Sequence, residues 1–293
     1  LTIGACFMKL PAKTPSLKQT LVLGSHDAMA YSLDMDSSVL EPNNIKAFDS
    51  WLSTPIRPIV KKWSTTQEKN ISEQLDAGIR YFDLRVAGKP ESSDLFFYHG
   101  LYTTMTVKEG MTELEKWLGR HTKEVVILAF SHFKEMSADQ HTDLTNFLKE
   151  HFKAKLCPKP QDCWESGYQV ILSYDNRSVD DPVLWPAIEY WWADKSDPKE
   201  VISYLNNQKQ KGRPVGLFVA GLNLTFDGMD VHLYLTKSLK EKTMTAYPRL
   251  LDWVKEQHSG SDKESVNIIA GDFVGVNSFA QDIIQLNKAD SGP

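Results

Sequence analysis

The sequence is poor in cysteine, has no long apolar run and carries no basic excess, and each shortage removes a class of function. Three cysteines in 293 residues, Cys6, Cys157 and Cys163, are too few for a disulfide scaffold and favour a reduced intracellular protein. Cys157 and Cys163 could close a small loop only in an oxidising compartment, and neither stands beside a histidine, so zinc is not expected. No apolar stretch approaches the roughly 20 residues of a membrane-spanning helix. Segment 1–8 is too short for one and lacks the basic lead-in of a secretory signal. Lys and Arg number 33 against 38 Asp and Glu, a formal net charge of -5, which argues against a nucleic-acid partner. There is no internal repeat, no low-complexity tract and no Gly-x-Ser-x-Gly elbow. These absences lead to the expectation of a cytoplasmic chain without a transmembrane segment.

What is present is an alternation of short apolar runs and longer amphipathic stretches, the pattern of strands and helices around a parallel sheet. Strands are expected at 20–25, 80–86, 95–98, 124–130, 169–173, 216–222 and 267–271. Helices are expected at 72–77, 107–120, 138–153, 198–210, 246–257 and 278–286. The runs rich in Val, Ile, Leu and Phe suit strands buried on both faces. Barrels of the β/α type commonly use about 250 residues as one domain, so the expected fold class is α/β, a β/α barrel in a single domain.

Nearly every apolar run ends in a hydrogen-bonding cluster: His26-Asp27, Asp83 and Arg85, His99, Ser131-His132, Tyr174-Asp175, Asn223, and Asp272. In a barrel the C-terminal ends of several strands build the active site. Two imidazoles can serve as general base and general acid across one phosphorus while a guanidinium holds the phosphoryl oxygens. Alternation puts Tyr81, Asp83 and Arg85 on one face of a strand. There Asp83 and Arg85 are either a structural ion pair or part of a site. His26 and Asp27 reach one site only if the chain turns after His26, for which Gly24 and Ser25 are suited. A carboxylate on one ring nitrogen fixes a histidine tautomer, and Asp272, closing the run 267–271, is the candidate. His132 also ends an apolar run. The cluster Trp185, Tyr190, Trp191 and Trp192 reads either as packing or as a membrane-interface contact.

Taken together, Leu23-Gly24-Ser25-His26-Asp27, Phe82-Asp83-Leu84-Arg85, Phe97-Tyr98-His99-Gly100 and Asn267-Ile268-Ile269-Ala270-Gly271-Asp272-Phe273 resemble the X domain of phosphatidylinositol-specific phospholipases C. Glu73-Gln74-Leu75-Asp76-Ala77-Gly78-Ile79-Arg80-Tyr81 supports the match, which runs from about Leu21 to Leu286. The resemblance implies an irregular TIM-type barrel over 21–288, with an N-terminal segment 1–20 and a tail 289–293. It further implies cleavage of phosphatidylinositol-type lipids at a membrane surface, with His26 as base oriented by Asp272, His99 as acid supported by Asp27, and Arg85 stabilising the transition state. Asp83, Ser131, His132, Tyr174, Asp175 and Asn223 are the substrate-binding candidates. The calcium-dependent branch has an asparagine after the first histidine and acidic ligands on the second strand. Asp27 and Arg85 occupy those places here, so no metal and no other cofactor is expected. The alternative on the same barrel is a catalytically weak phosphoinositide- or partner-binding module.

Overall fold

The computed structural model describes residues 21–40, 56–158, 163, 167–226, 235–276 and 278–289. The strands, in chain order, are β1 (Val22–Ser25), β2 (Tyr81–Gly88), β3 (Leu95–His99), β4 (Leu101–Thr106), β5 (Val126–Lys134), β6 (Val170–Tyr174), β7 (Glu189–Trp191), β8 (Phe218–Gly221) and β9 (Ile268–Gly271). The helices are α1 (Ile56–Ser64), α2 (Ile71–Asp76), α3 (Val107–Arg120), α4 (Ala138–Phe152), α5 (Pro198–Lys211), α6 (Leu239–Lys255) and α7 (Phe279–Ala289). The expected segment 1–20 and the last residues of the tail lie outside the described residues, as does the start of the first expected strand.

The chain forms two compact units, each discontinuous in sequence. The first takes the described residues up to His26, Glu73–Tyr81 and those from Ile188 onward. Its strands are parallel in the order β1-β9-β8-β7, with Val22 opposite Ile268, Val219 opposite Ile268 and Glu189 opposite Phe218. Every residue of β1, β8 and β9 is buried, which their unbroken apolar sequences require. Helix α5 packs on α6, α6 on α7, and α7 on β1. A side chain at Gly24 would put its Cβ 2.7 Å from that of Ala270 and 2.9 Å from the Tyr81 ring. Gly24 therefore serves close packing inside the strand and not the turn expected of it.

The second unit holds Asp27–Ser72 and Phe82–Ala187. Its strand order is β4-β3-β2-β5-β6. The expectation of a parallel sheet fails here, because β2, β3 and β4 are antiparallel. Strand β4 was not foreseen: Gly100, at φ 70°, reverses the chain within one residue, and Leu101–Thr106 returns along β3. Strands β5 and β6 are parallel, with Phe130 opposite Tyr174. Helices α3 and α4 start at capping boxes, Thr106 with Glu109 and Ser137 with Gln140, and so match the expected starts at 107 and 138. Helix α6 begins well before the expected 246, because Ser238 caps it and accepts from the Glu241 amide. Helix α1 and the three-residue β7 were also missed.

Cys157 and Cys163 form a disulfide with Cα atoms 5.5 Å apart, which corrects the expectation of reduced thiols. The Cys157 amide donates to Val170 O at 2.8 Å and its carbonyl accepts from Trp185 Nε1 at 3.0 Å, so one partner is anchored beside β6. The aromatic cluster divides its tasks. Trp191 packs on Phe218 with ring centres 4.3 Å apart, whereas Trp192 is 49% exposed.

Candidate active site

In the first unit the parallel pairing of β1 with β9 brings their C-terminal ends together, so His26 and Asp272 leave the sheet side by side. The His26 amide donates to Gly271 O at 3.1 Å. Its ring Nδ1 lies 2.7 Å from Asp272 Oδ1, with both residues buried. A carboxylate only accepts, so Nδ1 carries the proton, and in the neutral ring Nε2 then carries the lone pair, the tautomer a general base needs. The Tyr190 ring stands 6.2 Å from the His26 ring, and its hydroxyl donates to Asn223 Oδ1 at 2.8 Å. The Tyr247 hydroxyl donates to the Asp272 carbonyl.

In the second unit Asp27 has φ 40°, a left-handed conformation that turns the chain immediately after β1. The turn is held at three points. The Asp27 amide donates to Asp83 Oδ2 at 3.2 Å, the Ala28 amide to Asp83 O at 2.9 Å, and Thr66 Oγ1 to the Asp27 carbonyl at 3.0 Å. The Asp27 carboxylate then serves two basic side chains. Arg85 Nε lies 2.9 Å from Oδ1 and His99 Nε2 lies 3.3 Å from Oδ2. Arg85 Nη2 also reaches Asp83 Oδ2 at 3.4 Å, as alternation along β2 requires. The other ring nitrogen of His99, Nδ1, donates to the Ser64 carbonyl at 2.6 Å. Both nitrogens of His99 thus face acceptors, an arrangement the protonated ring satisfies fully and a neutral ring cannot. The Asp27 side chain is 2% exposed, against 18% for Arg85 and 20% for His99, so the carboxylate is sealed while both donors reach the surface.

The substrate-binding candidates are scattered. Asp83 is buried, and Ser131 Oγ donates to its Oδ1 at 3.4 Å. His132 is exposed, with Nδ1 2.8 Å from Ser131 Oγ. Tyr174 does not join them. It stacks on Phe130, one residue from Ser131 and therefore on the opposite face of the sheet, where its hydroxyl lies 2.7 Å from His141 Nδ1 of α4. Burial pushes the Tyr174 hydroxyl well above its ordinary range and the His141 imidazole below its own. Asp175 is exposed, and Asn223 is buried against Tyr190.

Residues 58–175 match the family described as phosphatidylinositol-specific phospholipase C, X domain. The chain is 46% identical to PI-PLC X domain-containing protein 1 of Danio rerio, over 98% of both proteins. It is 42% identical to the Homo sapiens protein of that name, over 90% of this chain and 85% of the other. The chain belongs to the phosphatidylinositol-specific phospholipase C X-domain family. Its fold is similar to that of a mutant phosphatidylinositol-specific phospholipase C from Staphylococcus aureus, with a TM-score of 0.67 at 13% identity over 95% of this chain and 94% of that one. The Listeria monocytogenes enzyme gives 0.64 at 17% identity, over 94% and 96%. Those likenesses show the fold class, an α/β fold of the irregular TIM-type β/α barrel.

Within this X-domain chain, the matched segment 58–175 contains Asp83, Arg85, His99, Ser131, His132, Tyr174 and Asp175 but neither His26 nor Asp272. A cation seeking the Asp27 and Asp83 oxygens would compete with the Arg85 guanidinium already against them. Sequence reasoning missed Ser64, Thr66 and Tyr247, which act on the site through single bonds to His99, Asp27 and Asp272. The one available signal for the first two was the polar run Ser64-Thr65-Thr66 closing an amphipathic stretch.

Proposed function

We propose that this chain is a metal-independent phosphodiesterase that cleaves phosphatidylinositol-type lipids at a membrane surface. The observation that carries the reading is that each of two histidines has its own carboxylate, Asp272 for His26 and Asp27 for His99. Asp272 leaves His26 with a lone pair on Nε2, and Asp27 with the Ser64 carbonyl favours a protonated His99. His26 Nε2 takes the proton of the inositol 2-hydroxyl, and that oxygen attacks phosphorus. The bond from phosphorus to the diacylglycerol oxygen breaks as His99 gives that oxygen its proton. The products are diacylglycerol and a cyclic inositol phosphate, which water can open by the reverse proton transfers. Arg85, fixed on Asp27 and Asp83, meets the charge gathering on the nonbridging oxygens.

Among the described residues no helix is long and apolar enough to cross a membrane, and the proposal places the protein transiently at the lipid surface. The cytoplasmic side expected from the cysteine count is weighed against by the Cys157–Cys163 bond, which belongs to oxidising surroundings. The test is phosphorus NMR of phosphatidylinositol vesicles with the protein in excess chelator. A cyclic phosphate signal is expected from the unmodified protein and not from His26→Ala or His99→Ala. Vesicle binding without product would instead make the chain a lipid-binding module.

A further inference from the structure

We propose that Tyr247 is a positioning residue for the His26–Asp272 pair, a role that rests on the reading of His26 as the base. Tyr247 lies mid-way along α6, 4% exposed, with its ring edge-on to Phe279 at the start of α7, centres 6.1 Å apart. Its hydroxyl donates to the backbone carbonyl of Asp272, the residue at which the chain leaves β9. A Cβ on Gly271 would lie 3.6 Å from that hydroxyl, so the phenol tip sits against the strand end itself.

The carboxylate that this bond locates is under an unusual demand. Asp272 Oδ1 is on His26 Nδ1, and Oδ2 is buried without a hydrogen-bond partner among the described residues. A buried carboxylate with one idle oxygen gains by turning toward any donor that local motion offers. Each such turn would release the imidazole and let it take the other tautomer. Packing around the side chain limits that rotation only while the main chain holds still, and a bond on the Asp272 carbonyl fixes the point from which the carboxylate projects. Phenylalanine would fill the same buried space, and the hydroxyl adds a bond on the residue that orients the base.

The experiment is Tyr247→Phe, which keeps the ring, with thermal unfolding followed in parallel to confirm the fold. Two quantities are read: phosphatidylinositol turnover and the tautomer of His26 from its ring nitrogen NMR shifts. The expected result is a kcat lower by about tenfold with KM within about twofold, and His26 moving from the Nδ1-protonated form toward a mixture. The loss should not add to that of Asp272→Asn, because both changes act through one carboxylate. Unchanged ring shifts overturn the proposal whatever the rate does, and an unchanged kcat with altered shifts also overturns it. If the unmodified protein does not turn over phosphatidylinositol, the reading as an enzyme fails, and the ring shifts alone decide the positioning.

Discussion

Asp27 does more in this chain than its place after a histidine suggests. Its two oxygens hold Arg85 and His99, its amide is bonded to Asp83, and its carbonyl is bonded to Thr66. The arginine is gripped through Nε by one carboxylate and through Nη2 by another, so its plane is fixed before any phosphate arrives. A lysine cannot make both contacts from one nitrogen in the same geometry. Arg85→Lys is expected to lower kcat by roughly 10²-fold with little change in melting temperature, as read by vesicle turnover and calorimetry. At this scale the sequence showed which residue types close the strands, and His26, Asp27, His99 and Asp272 stand at such ends, whereas Arg85 lies inside β2. The sequence did not show the roles of Ser64, the last residue of α1, or of Thr66 just beyond it, because it does not name the partners they meet. Tyr174 was misplaced because the first residue beyond a strand cannot be assigned a face until the partner strand sets the register.

At the scale of elements, helix α4 is joined to the sheet through a titrating group. The Tyr174 hydroxyl is hydrogen-bonded to His141 Nδ1, and Phe133 lies edge-on to the imidazole with centres 4.8 Å apart. Burial lowers the His141 value below its ordinary 6.5, so the unfolded chain takes up this proton more readily than the folded one. Stability from this contact is therefore fully present above about pH 6.5 and is lost as pH falls below it. Melting temperature measured from pH 7.5 down to 5 should decline, and His141→Gln should flatten that decline. An equal slope in the variant would show that other groups set the acid limb. Capped, strongly periodic helices were the most legible elements, and α3 agrees with its expected bounds. The β3–β4 hairpin was not legible, because the reversal rests on one glycine between two runs that read as a single apolar stretch.

For the molecule as a whole, the alternation of strands and helices carried the fold class, and the likeness to the bacterial enzymes agrees with it. The division into two units was not visible, since each gathers segments distant in sequence. The disulfide ties a loop of the second unit, and the chain-entropy argument gives a short closed loop of this size about 2 kcal/mol. Reduction, or Cys163→Ser melted without reductant, should lower the melting temperature by several degrees relative to the oxidised protein. Peptide mapping of the unreduced protein checks that the bond forms, and a melt insensitive to reductant would remove it from the stability of the fold.

The sequence by itself determined the apolar periodicity, the polar residues that close the strands, and hence the barrel class and the family, because these depend on spacing along the chain. Tertiary structure alone decided which carboxylate holds which histidine, and therefore which ring nitrogen of each faces an acceptor. That choice depends on hydrogen bonds between residues such as His26 and Asp272, 246 positions apart, and on the face each side chain takes once strand register is set.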